Sequence, residues 1–271
     1  MKKILVAIDA NQVNMNVLDF ACFVAKLTHS KLIGVFLDTT GGAHEIPYEG
    51  SLQESDIPVS TARGKVYAER INFFKEACKN RGANCSVHLD EGVPLTEIIN
   101  ESRFAELLIV DPEISFGGKN GGVPTGFIKG VLAKSECPVV IAPFSFYGID
   151  EILFAYDGSA SSVFAIRQFI YLFPELADKK VTVLQVLEND NETIVEKEKV
   201  GELLQQHYSN IGFQSLYGNA SEELFGLLIK RKNVFVVMGA FGRNMLSGFF
   251  KHSTGELIIK TINLPVFIAH H

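Results

Sequence analysis

Ile4-Leu5-Val6-Ala7-Ile8-Asp9 opens the chain, and Ile152-Leu153-Phe154-Ala155-Tyr156-Asp157 repeats it in the second half. Each is a short apolar run that ends in aspartate, which is the pattern of a buried strand. Small polar residues follow each run, and then helical periodicity. Val17, Phe20, Ala21 and Val24 recur at i, i+3, i+4 and i+7, and Val163, Ile166, Ile170 and Phe173 do much the same. Second strands follow at Lys31 to Leu37 and Val181 to Leu187, then longer helices over Thr61 to Arg81 and Glu192 to Tyr208. Third strands, near Ser86 to Leu89 and Phe213 to Leu216, lead through Gly92 and Gly218 into helices that start near Leu95 and Ser221. Fourth strands are Leu107 to Val110 and Val234 to Met238, and the last are Pro138 to Ala142 and Pro265 to Ala269.

Strand and helix alternate throughout both halves. This predicts an α/β protein made of two tandem doubly wound domains, each a five-stranded, mostly parallel sheet with helices on both faces. The expected boundaries are 1–143 for the first domain, 144–150 for a linker and 151–271 for the second. The first half has an additional stretch, 39–60, rich in Gly and Pro and without a period. It reads as a surface loop, or as a lid or partner contact.

The chain has 271 residues, 47% of them hydrophobic, with a net charge of −6. This is ample for two cores and is not the basic balance of a general nucleic-acid binder. No apolar run reaches the roughly 18 residues of a membrane span. Cys22, Cys78, Cys85 and Cys137 form no C-x-x-C pair, and the expectation is reduced, structural cysteines in a cytoplasmic protein. The histidines show no zinc-ligand spacing, no metal site is expected, and His270-His271 is given no role.

The chemistry-bearing stretch is Val234-Phe235-Val236-Val237-Met238-Gly239-Ala240-Phe241-Gly242, followed by Lys251-His252-Ser253-Thr254. A buried strand runs into G-x-x-G, and hydroxyl residues stand at the start of the next predicted helix. Glycines admit close backbone approach, and a helix N-terminus offers N–H groups to an anion, so the arrangement suits phosphate. In the first half, Asp111-Pro112 occupies the place of Gly239-Ala240 and puts a carboxylate where phosphate would come. The glycines of Phe116 to Gly122 lack the same spacing.

The tandem chain resembles the universal stress protein family over essentially its whole length. The carrying residues are Lys3 to Asp9, Ile152 to Ser159, the Gly239-x-x-Gly242 loop and Pro265 to Ala269. The family's nucleotide-binding branch continues G-x-x-G with nine residues, a glycine and Ser or Thr. Here His252 stands at that glycine, followed by Ser253 and Thr254. The resemblance implies an adenine-nucleotide alpha-hydrolase-like fold and ATP or another adenine nucleotide, with Mg2+, in the second domain. It implies Asp157 and Gly158 near the ribose and adenine, Leu184 to Leu187, Val186 among them, as an adenine wall, and Met238 and Gly239 against the nucleotide. Gly242, Ser253 and Thr254 would hold phosphates, with Arg243, Lys251 and a protonated His252 as neutralising cations. Alternatively, the His252 imidazole obstructs that site.

The expected function is that of a cytoplasmic stress-response or regulatory protein that is not an enzyme. Slow ATP hydrolysis and a nucleotide-free interaction module are the alternatives. No P-loop and no G-x-S-x-G nucleophile elbow occurs, and Ser159 reads as a helix cap. The resemblance also implies an internal pseudo-dimer, through Val139 to Ala142 and Val266 to Ala269, or a homodimer, with no nucleic-acid or membrane partner.

Overall fold

A computed structural model describes residues 2–38, 62–116, 124–239 and 262–269. The chain divides into two compact units, Met1–Ala142 and Pro143–His271.

The first unit runs β1 (Lys3–Asp9), α1 (Met15–Leu27), β2 (Lys31–Asp38), α2 (Ala62–Asn80), β3 (Cys85–Glu91), α3 (Pro94–Ser102), β4 (Leu107–Val110), α4 (Gly126–Lys134) and β5 (Val139–Ile141). Its strands lie in the order β3-β2-β1-β4-β5, all parallel. The order reverses between β1 and β4, which is where a doubly wound sheet opens a crevice for a ligand. Helices α1 and α2 pack together, as do α3 and α4. Phe36 on β2 meets Phe74 on α2 edge to face, with ring centroids 5.8 Å apart. Gly34 makes room for that ring: a Cβ there would lie 2.8 Å from Phe74.

The second unit runs β6 (Glu151–Ala155), α5 (Ala160–Leu172), a 3-10 turn at Pro174–Leu176, β7 (Lys180–Leu187), α6 (Lys197–Gln205), β8 (Ile211–Tyr217), α7 (Ala220–Leu228), β9 (Val234–Gly239) and β10 (Val266–Ala269). The order β8-β7-β6-β9-β10 repeats that of the first unit, again all parallel. Strands β6, β9 and β10 are buried along their whole length. The core between them and α5 is built of phenylalanines. Phe169 stands edge-on to Phe235 at 5.0 Å and to Phe267 at 5.4 Å. Such pairs add roughly 0.5–1.5 kcal/mol each beyond area burial.

Most elements lie where the periodicity places them, within a residue or two. The exception is the helix expected over Glu192 to Tyr208, which is only Lys197–Gln205. The Asn189 side chain accepts the Asn191 N–H at 3.2 Å and donates to Glu192 at 2.5 Å, holding a turn. The Gln185 side chain captures the Val195 N–H at 2.9 Å, and Glu196 takes a left-handed φ of 46°. Local side-chain bonds thus outcompete the first helical turn. Residues 144–150 fall in the second unit, where the Ser145 N–H donates to Asn263 and the Asp150 N–H to the Asn233 carbonyl. The 39–60 stretch lies outside the described residues.

Candidate site at the carboxyl ends of the strands

Pairing registers make the carboxyl ends of the strands in the two units directly comparable. Ile4 pairs with Leu107 on β4, and Ile152 with Phe235 on β9. Counting forward, Asp9 corresponds to Asp157 and Asp111 to Gly239.

In the second unit, Asp157 is exposed just beyond β6, and one carboxylate oxygen accepts the Ser159 N–H at 2.9 Å. Gly158 between them has φ +78°, and a Cβ there would come within 2.9 Å of Val195. Both the left-handed backbone and the contact require glycine. Ser159 is the N-cap of α5 and accepts the Ser162 N–H at 3.1 Å. On β7, Leu184, Gln185 and Leu187 are buried and Val186 is half-buried. Alternation puts Leu184 and Val186 on one face of the sheet and Gln185 and Leu187 on the other, so the four do not form one continuous wall. Gln185 instead clamps the segment that ends at Val195.

Met238 is buried, and Gly239 closes β9 against the first turn of α5. A Cβ at Gly239 would lie 2.6 Å from the Ser161 carbonyl carbon and 2.7 Å from the Ser162 nitrogen. The absence of a side chain there is therefore demanded by helix packing, whatever it also does for a ligand. Gly242, Arg243, Lys251, His252, Ser253 and Thr254 lie outside the described residues.

Tyr156, the residue after β6, adds a polar group at this edge. It is 3% exposed, and its hydroxyl is buried without a hydrogen-bond partner among the described residues. Burial pushes its ionisation up, with Glu196 and Asp157 adding to the effect. Only the tertiary fold could reveal it, because a tyrosine at the end of an apolar run reads as core.

The first unit has an open crevice of about 330 Å³ at its sheet reversal. Its floor is Val6, Ile8, Val17 and Leu18, and its mouth carries Asp9, Asn14, Asp111 and Glu113. Asp111 is fixed there: one oxygen accepts from the Asn14 amide at 2.7 Å and the other from the Glu113 N–H at 2.9 Å. Helix α1 starts three residues later, relative to its aspartate, than α5 does, and Asn14 is its cap. A side chain thus fits at Asp111 that would collide at Gly239. Three carboxylates make this mouth unfavourable for a polyanion. Among the described residues, no group of three or more His, Cys, Asp or Glu is placed to hold a metal ion, and no helix is long and apolar enough to cross a membrane.

A universal stress protein from Archaeoglobus fulgidus superimposes on 99% of this chain and 98% of its own, with a TM-score of 0.73 and 18% identity. This is the universal stress protein fold. A protein from Pseudomonas aeruginosa, described as a putative universal stress protein, matches 100% of this chain and 93% of its own, with a TM-score of 0.61 and 16% identity. A shorter Archaeoglobus fulgidus universal stress protein, solved in complex with dAMP, aligns with 52% of this chain and 97% of its own, at 21% identity and a TM-score of 0.35. No protein-family model and no curated protein matches the sequence. The universal stress protein fold occurs here as two successive units with the same strand order, and the two differ at matched positions beside the sheet reversal, Asp111 just past β4 and Gly239 at the end of β9.

Proposed function

We propose that this protein binds ATP or another adenine nucleotide at the carboxyl ends of β6 and β9, and serves as a cytoplasmic stress-response or regulatory protein. One observation carries the reading. At matched positions beside the sheet reversal, the second unit has Gly239 next to Asp157, where the first has the anchored Asp111 carboxylate next to Asp9. The strand ends of the second unit therefore offer one aspartate for ribose hydroxyls and no carboxylate where β9 ends.

In sequence the strand continues into Gly242, Arg243 and the Lys251-His252-Ser253-Thr254 stretch, whose residue types suit phosphate. Mg2+ would accompany the phosphates. The role proposed is binding rather than turnover.

Mass spectrometry of the denatured, purified protein would identify bound nucleotide. Calorimetric titration of the full chain with ATP should give one site, and micromolar affinity would correspond to about −8 kcal/mol. Gly242→Val should abolish that heat, because a branched side chain blocks backbone approach. Undiminished binding by Gly242→Val would overturn the assignment of the phosphate loop. His252→Gly separates the two roles of the imidazole. Tighter binding at every pH marks obstruction, whereas weaker binding only below about pH 6.5 marks a cationic contact.

A further inference from the structure

Three of the four cysteines, on three different elements, meet in the first unit. Cys22 is on α1, Cys78 in the last turn of α2, and Cys85 is the first residue of β3. The Cys22 and Cys78 sulfurs are 3.8 Å apart and buried. The Ala83 N–H donates to the Cys78 carbonyl at 3.0 Å, so the turn after α2 folds back on Cys78 two residues before Cys85, and the Cys78 thiol interacts with that of Cys85 as well as with that of Cys22. Cys85 is half-buried and lies at the start of a strand paired to β2, one residue from Lys31 in the register. Lys75, on the α2 turn that precedes Cys78, is the second cation near it. A half-buried thiol near two cations, with a second thiol close to it, is the arrangement of a redox site rather than of inert core cysteines.

We propose that this cluster is a hydroperoxide-responsive modification site, with Cys85 as the attacking thiolate and Cys78 as the resolving thiol. The Cys85 sulfur attacks one peroxide oxygen, the O–O bond breaks, and hydroxide leaves. Cys85 becomes a sulfenic acid, oxidised by two electrons, as the peroxide is reduced. The Cys78 sulfur then attacks the Cys85 sulfur. The S–O bond breaks, the departing hydroxide takes the Cys78 proton and leaves as water, and a Cys78–Cys85 disulfide forms. Cys22, 3.8 Å from Cys78, can then exchange into the bond and release Cys85.

The electrostatics support these roles. The hydrogen bond from Cys78 lowers the Cys85 pKa, burial opposes it, and Lys75 and Lys31 lower it further, to about 7. The bonds to Cys22 and Cys85, together with burial, hold Cys78 protonated. Cys137 is an internal control: it is buried, its hydroxyl neighbour is Ser135, and burial pushes its thiol up to about 12.

The test uses the full chain, reduced and then freed of reductant. Iodoacetamide should alkylate Cys85 at least about tenfold faster than Cys137 at pH 7, with half-maximal rate near that pH. Hydrogen peroxide at pH 7, followed by alkylation in denaturant, should remove the Cys85 and Cys78 thiols together and spare Cys137. Lys79 and Arg81 lie between the two, so trypsin should release them as a cross-linked peptide. In Cys78→Ser, dimedone should trap the sulfenic acid at Cys85. Equal alkylation rates at Cys85 and Cys137 would overturn the proposal. So would an oxidised Cys85 in the parent protein with Cys78 still a free thiol. Both results come from the parent chain and do not depend on the folding of a variant.

Discussion

Gly239 shows how one residue can serve two readings. In the sequence it is the first glycine of a phosphate-type loop. In the fold it is the only residue type that lets β9 end against the backbone of Ser161 and Ser162. Gly239→Ala should therefore destabilise the protein by about 1–3 kcal/mol even without ligand, because backbone rather than a flexible side chain must yield. Urea unfolding of the ligand-free variant would measure this, and an unchanged midpoint would refute the contact. Asp90 on β3 provides a pH-dependent counterpart. One of its oxygens is buried without a partner among the described residues. Burial raises its pKa to about 6, with Glu101 and Glu97 adding to the rise and His88 and Lys3 opposing it. A carboxyl with a raised folded pKa favours folding when protonated. Its contribution is full below the ordinary carboxylate range and is lost as pH rises through about 6. Asp90→Asn should therefore stabilise the protein at pH 8, by about 1–3 kcal/mol, and the gain should vanish towards pH 4. Denaturation midpoints of parent and variant at the two pH values would check it.

At the scale of elements, α1 and α5 are the informative pair. Both follow the first strand of their unit and both are capped by a side chain, Asn14 for α1 and Ser159 for α5. The earlier start of α5 brings its first turn against Gly239, while the later start of α1 leaves space for Asp111 and the crevice beside it. Ser159→Ala removes the cap and should cost about 1 kcal/mol. It should also loosen the Asp157-Gly158-Ser159 turn, so ATP affinity should fall with stability. Circular-dichroism melts and calorimetric titration on the same variant would test both, and a variant that loses neither would show the cap to be idle. Helix α6 marks the limit of periodicity: residues 192–196 carry a helical pattern, but the bonds made by Asn189 and Gln185 hold them in turns.

At the scale of the whole molecule, two units of one fold are expected to respond to different signals. Saturating ATP, at about 100 times its dissociation constant, should stabilise the unit that binds it by about 2.7 kcal/mol. Scanning calorimetry should show an ATP-dependent rise in one transition only, and Gly242→Val should remove it. Peroxide should alter the transition of the first unit, which holds Cys22, Cys78 and Cys85. A single transition displaced as a whole by both agents would contradict this division.

The alternation of strands and helices, the repeat, and the correspondence of Asp111 with Gly239 are all legible along the chain. Those features depend on local periodicity and on order along the chain. Tertiary structure alone decided why Gly239 must be glycine, that Asn14 anchors Asp111 across the crevice, and that three cysteines share one site. It also left the Tyr156 hydroxyl and an Asp90 oxygen buried without a described partner. Each of these depends on atoms brought together from different elements, often from distant parts of the chain. Distances and desolvation at such meetings follow from how elements pack, which a one-dimensional pattern does not encode.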